Sequence, residues 1–130
     1  MFSDFFNRKN TIALIGASRD REKFGYRIYK AILNAGYEIY PINPNAYEID
    51  GKKCYPSLAS LPKKPDVVIT VVPPKITEKI VEEAAKLKIK KVWMQPGSES
   101  EKAVGFCKQN KIEVIAKMCF VLDGLKENLL

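Results

Sequence analysis

Apolar residues recur along this chain in two alternating rhythms, short uninterrupted runs and longer stretches spaced by three and four. Thr11-Ile12-Ala13-Leu14-Ile15 is a run that stops at Gly16, the pattern of a parallel strand buried on both faces, and it is expected to be the central strand. Phe24, Ile28, Ala31, Ile32 and Ala35 then mark one face of a helix, with Gly36 at its end. Tyr37 to Ile42 reads as a second strand in which Pro41, lacking an amide hydrogen, predicts a frayed end or a bulge. Asp66 to Val72 is the clearest strand and is stopped by Pro73-Pro74. Ile76, Ile80, Ala84 and Leu87 describe the helix that follows.

Lys91 to Met94 supplies a fourth strand ending at Gln95-Pro96-Gly97, and Ser98 with Glu101 predicts a capping box for a helix running to Asn110. Glu113 to Ala116 gives a fifth strand. The stretch from Ala46 to Pro65 reads as a connection with a helical turn around Ser57 to Leu61, and the tail beyond Asp123 as a short helix. Trp93 is expected to fill the core, and Tyr26 and Tyr29 to cover the outer face of the first helix.

Strands that alternate with helices in this way predict an α/β fold, a Rossmann-like doubly wound parallel sheet of five strands. Right-handed crossovers favour the order 3-2-1-4-5. A chain of 130 residues fits one domain, taken as residues 1–130.

Composition narrows the chemistry. No apolar run approaches the roughly 20 residues that span a bilayer, and no secretory signal is evident at the start, so the expected compartment is the cytoplasm, with no membrane partner. The chain carries a formal charge of +7, which favours anionic ligands. Its lysines are scattered without interleaved aromatics, as on a solvated surface, and this disfavours nucleic acid as a partner. Histidine is absent, which removes the usual general base and the commonest metal ligand. Cys54, Cys107 and Cys119 fit neither a disulfide framework nor a zinc site and are expected to be free thiols. No catalytic pair and no metal site is assembled from the remaining residues.

In a doubly wound sheet the ligand crevice lies outside the carboxyl ends of the strands. The loops expected there hold Gly16-Ala17-Ser18, Asn43-Pro44, Pro73-Pro74, Gln95-Pro96-Gly97 and Cys119, while the opposite turns are chemically plain. The first of them, Gly16 to Gly25, is neither a dinucleotide fingerprint nor a P-loop. Its bland reading is a tight strand exit with a glycine packed against the sheet. Its functional reading draws on the basic neighbours Arg19, Arg21, Lys23 and Arg27. A typical NAD site needs a carboxylate after the second strand, where this chain has Asn43-Pro44. That omission disfavours NAD and tolerates a phosphorylated adenosine, NADP included, with Arg19, Lys52 or Lys53 as available cations.

From about Thr11 to Leu122 the chain resembles the small stand-alone CoA-binding proteins, whose domain is similar to the amino-terminal domain of the succinyl-CoA synthetase alpha subunit. The likeness is carried by Ile15-Gly16-Ala17-Ser18, Lys23-Phe24-Gly25-Tyr26, Gly36 through Pro44, Gly51 with Tyr55-Pro56-Ser57-Leu58, Pro73-Pro74, Val92 through Gly97, and Cys119. The resemblance implies coenzyme A or acyl-CoA as the ligand, with contacts from Gly16, Ser18 and Arg19, from Asn43 and Pro44, from Val72 and Pro73, and from Gln95, Pro96 and Gly97. Ala17, Lys23, Phe24, Gly25 and Cys119 complete the expected binding set. Cys119 would meet the thiol end of the ligand, although a free cysteine is more often a small buried hydrophobe. Two departures stand out: Ala46 occupies the position of a phosphate-contacting lysine, and a chain without histidine cannot form the synthetase's phosphohistidine. The leading expectation is non-catalytic binding of coenzyme A. The alternatives are a CoA-ligase component that needs a partner chain and an NAD(P)-responsive regulatory module.

Overall fold

Strand β1, Thr11–Ile15, is buried along all five residues and is flanked on both sides by parallel neighbours in the computed structural model, which describes residues 2–125. Helix α1 spans Phe24–Asn34 and leads to β2, Glu38–Ile42. A small antiparallel hairpin follows, β3 at Glu48–Ile49 and β4 at Lys52–Lys53, and then a 3-10 turn at Leu58–Ser60. The chain continues through β5 (Val67–Thr70), α2 (Pro74–Lys86), β6 (Lys91–Met94), α3 (Glu101–Gln109) and β7 (Glu113–Ala116). The main sheet is a five-stranded, Rossmann-like parallel sheet in the order β2-β1-β5-β6-β7.

That order corrects the expected 3-2-1-4-5. The strand beginning near Asp66 lies against β1 and not outside β2, so β5 holds the centre of the sheet and β1 stands beside it. The reason lies in what each strand tolerates at an edge. Val67–Thr70 is buried at every residue and needs a neighbour on either side, whereas β2 carries an exposed Glu38 and a proline that cannot donate. Pro41 stays in register opposite Leu14, without a bulge. Its carbonyl accepts from the Tyr55 amide at 2.9 Å, which covers part of that edge.

Alternation along the strands sorts the core into two layers. Ile12, Leu14, Val67, Ile69 and Trp93 face α1, where they meet Ile28, Tyr29 and Ile32, and also Phe5 and Phe120 from the two ends of the described chain. Ala13, Ile15, Val68, Val92 and Met94 face α2 and α3. Trp93 is fully buried at the hub of an aromatic cluster with Phe2, Phe5, Phe6 and Phe120, and its Nε1 donates to the Met118 carbonyl at 2.7 Å.

Local expectations are corrected at several points. Tyr29 is fully buried instead of covering an outer face, because its ring fills the layer between α1 and the sheet. Ser98 does not cap α3. Its hydroxyl bonds the carbonyls of Gln95 and Thr70, and Ser100 caps instead by accepting from the Ala103 amide at 3.0 Å. The final turn, of π type, begins earlier than expected, at Phe120, and ends at Leu125; the rest of the expected terminal helix lies outside the described residues. Among the described residues no helix is long and apolar enough to cross a membrane.

Candidate functional site

Three strand exits meet above β2, β1 and β5. Gly16 leaves β1 with φ +96°, a left-handed conformation suited to glycine, and its amide donates to the Ile42 carbonyl at the end of β2. A β-carbon at Gly16 would collide with the Val71 carbonyl oxygen and stand 2.8 Å from Cγ1 of Val72. The close approach of the β1 and β5 exits therefore demands glycine here for structural reasons, whatever binds above.

Beyond Gly16 the loop is wound by local hydrogen bonds. Ser18 Oγ accepts from the Asp20 amide at 3.0 Å, and Asp20 Oδ1 accepts from the Glu22 amide at 3.0 Å. The loop delivers the chain to Lys23, the N-cap of α1, which supplies no side-chain cap. Gly25 packs so tightly on Gly16 that a β-carbon there would collide with the Gly16 carbonyl. The positive end of the α1 dipole is thereby pressed against the glycine exit with no side chain closing it, an arrangement suited to an anion.

Asn43 stands where a dinucleotide site would carry a carboxylate, and its amide is engaged at both ends. Nδ2 donates to the Ala17 carbonyl at 2.9 Å and Oδ1 accepts from the Asn45 amide at 2.8 Å. Only a residue that both donates and accepts ties the β2 exit to the β1 exit in this way. The hairpin behind Asn43 is docked on α1 through Asp50, whose carboxylate takes hydrogen bonds from Tyr26 at 2.6 Å and an ion pair from Lys30 at 3.1 Å. Those contacts, Tyr26 first, lower the Asp50 pKa, and the same bond to Asp50 raises that of Tyr26.

These exits enclose a cavity of about 860 Å³. Of the expected binding residues, Gly16, Ser18, Lys23, Phe24 and Gly25 line one side of it, Asn43 and Pro44 the rim, and Val72 and Pro73 the opposite wall. Ala17 is buried and Arg19 is exposed, both off the lining.

Gln95, Pro96, Gly97 and Cys119 are not brought to this cavity. Gln95 is fully buried, with Oε1 accepting from the Phe120 amide at 2.6 Å and Nε2 donating to Cys119 Sγ at 3.2 Å. It brackets the end of β6 to the last turn. Cys119 is only 5% exposed, and its sulfur also accepts from the Leu122 amide, so its loop does not face the cavity as expected. Burial pushes the thiols of Cys54 and Cys107 up, Cys107 to about 11.

The far wall was missed from the sequence. Ile76, Lys79, Ile80 and Glu83 of α2 all turn toward the cavity. Their spacing of three and four was legible, but it reads as the core stripe. The stripe that is buried runs through Thr77, Val81 and Ala84, rotated by about one position. Ile76 is left 41% exposed beside the opening, and exposed Phe24 stands on the side of α1.

A parallel sheet with a glycine exit, an open helix N-terminus and a largely apolar wall is the arrangement by which α/β folds of this class receive nucleotide-like anions at the carboxyl edge. The family model of the CoA binding domain matches residues 10–124, and the chain belongs to that family. Over 114 residues it is 37% identical to the ADP-forming acetate–CoA ligase of Methanocaldococcus jannaschii, a match that takes in 87% of this chain but only 16% of the ligase. A conserved hypothetical protein from Pyrococcus furiosus superposes with a TM-score of 0.83 at 42% identity, over 87% of this chain and 97% of the other. A hypothetical protein from Pyrococcus horikoshii gives a TM-score of 0.88 at 34% identity, over 98% and 87% of the two chains.

Proposed function

We propose that this chain, as one domain, binds coenzyme A, free or acylated, in the cavity above β1, β2 and β5. The observation that carries the reading is the uncapped start of α1, held against the Gly16 exit on one side of a cavity whose other wall is apolar, in a member of the CoA binding domain family. The ligand's pyrophosphate belongs at Gly16, Ser18, Lys23 and Gly25, where backbone amides and a lysine meet it. Phe24, Asn43, Pro44, Val72 and Pro73 shape the space for the nucleoside. The lining offers Glu83 as its one carboxylate among the described residues, with Lys23 and Lys79 as its cations and no pair of carboxylates for acid–base work, and on this reading the chain holds its ligand without transforming it. Free thiols at Cys54, Cys107 and Cys119 fit a reducing compartment, and we place the activity in the cytoplasm.

Thermal melts with coenzyme A and with NAD at equal concentration test the reading. A ligand at a hundredfold excess over its Kd adds about 2.7 kcal/mol of stability, ample for a measurable shift. Coenzyme A is expected to raise the melting temperature more than NAD does, and native mass spectrometry of the purified protein to show a one-to-one complex. Stabilisation by NAD with indifference to coenzyme A would overturn it.

The match to part of an acetate–CoA ligase supports a second reading, in which the chain is the CoA-holding component of a ligase completed by another chain. Steady-state acyl-CoA formation by the protein alone is not expected on either reading. Turnover that appears only with an added partner would select the second.

A further inference from the structure

The cavity wall contributed by α2 carries a charge that the glycine loop does not need. Lys23 and Lys79 are the cations on the lining, and neither makes an ion pair among the described residues. Of the other basic residues, Arg21 and Lys30 pair with Asp50, Lys53 lies over the Tyr55 ring at 5.0 Å, and Arg27, Lys52 and Lys75 are off the lining. Arg19 is off the lining.

The two free lysines stand apart. Lys23 is the N-terminal flanking residue of α1 beside Gly16, whereas Lys79 lies in the second turn of α2, six residues beyond Pro73, or roughly 9 Å along the helix. Ile76, about one turn before Lys79, and Ile80, its immediate neighbour, line the apolar surface around it. The start of α2 is a poorer anion cradle than that of α1, because Pro74 at its first position has no amide hydrogen and the Ile76 and Thr77 amides are taken by the Pro73 carbonyl. A side chain is therefore the stronger partner for a second anionic group on this wall, and Glu83, four residues beyond Lys79, limits where that group can sit.

We propose that Lys79 is a specificity-determining residue that reads a second anionic group, a phosphate borne on the ribose, while the pyrophosphate sits at α1. The inference rests on the coenzyme A reading and adds the residue that separates coenzyme A from its analogue lacking that phosphate. It also supplies the cation that Ala46, half-buried against the core, does not.

Isothermal titration of the wild type, Lys79→Gln and Lys79→Arg with coenzyme A and with dephospho-coenzyme A decides it. The wild type is expected to prefer coenzyme A by roughly tenfold, the size of one charge-assisted contact of about 1.4 kcal/mol. Lys79→Gln should bring the two ligands within about twofold by weakening coenzyme A alone, and Lys79→Arg should keep most of the preference. Equal binding of both ligands by the wild type, an equal loss of both in Lys79→Gln, or an unchanged preference in Lys79→Gln would each overturn the inference while leaving the coenzyme A reading intact. Binding of neither ligand by the wild type would overturn both.

Discussion

The carbonyl oxygen of Gly16 occupies the space where a side chain at Gly25 would begin. The first turn of α1 and the exit of β1 are thus in backbone contact, and this contact sets how closely the helix N-terminus approaches whatever lies above the glycine loop.

Gly25→Ala gains helix propensity and nonetheless is expected to lose about 1–3 kcal/mol, because the added methyl must push the Gly16 loop away. Gly105→Ala is the matched control. It also lies inside a helix but meets nothing within 4 Å, and it should gain about 0.5–1 kcal/mol. Urea unfolding of both variants checks the pair, and a stabilised Gly25→Ala would refute the close packing.

Gln95→Leu keeps the side-chain volume but leaves the buried Phe120 amide without an acceptor, for a loss of about 1–3 kcal/mol. Because Gln95 is off the cavity, the folded fraction should bind coenzyme A as the wild type does. Chemical denaturation and titration of the same sample separate the two effects.

Asn43→Asp removes the donor to the Ala17 carbonyl and sets a negative charge at the rim. Coenzyme A affinity should fall by roughly tenfold or more, since about 1.4 kcal/mol is enough, and the loss should shrink as salt rises. Unchanged affinity at low salt would remove Asn43 from the site.

Burial holds the Cys107 thiol at about 11 against an ordinary 9.0, so the unfolded chain ionises first as the pH rises. The stability contributed by the buried neutral thiol is full below about 9 and is lost between 9 and about 11, a change of roughly 2–3 kcal/mol. Cys107→Ala should start less stable and show a flatter decline across that range. At neutral pH all three buried cysteines should resist alkylation in the native state and react on unfolding, and a coenzyme A disulfide on native Cys119 is not expected.

The five strands of the main sheet and the three helices between them were legible in the sequence because each buries a stripe whose period is fixed by local geometry, whereas the hairpin of Glu48–Ile49 and Lys52–Lys53, two residues to a strand, is too short to show a period. The order of strands in the main sheet was not legible, since it depends on which strand can stand at an edge, and Glu38 and Pro41 carried that information without being weighed against the wholly apolar Val67–Ile69. Of the cavity lining, the sequence pointed to residues of unusual backbone chemistry, Gly16, Gly25, Asn43 and Pro73. The same rule also pointed to Gln95 and Cys119, which lie off this cavity and whose polarity serves an internal bracket. Ile76 was read as core and Lys79 was passed over for the opposite reason: an isoleucine and a lysine on a helix look ordinary until a rotation of about one position turns them from core and solvent toward a cavity.

Pro44, Pro56 and Pro73 all stand in the cavity wall, and Pro74 opens the helix beside it. Each fixes one backbone torsion before any ligand arrives, at φ near about −65°. The wall is therefore a mould already set, and an entering molecule has little chain to immobilise. Free and occupied backbones should superpose closely, and the protein should take its ligand by lock and key, with selectivity residing in shape and charge and not in closure.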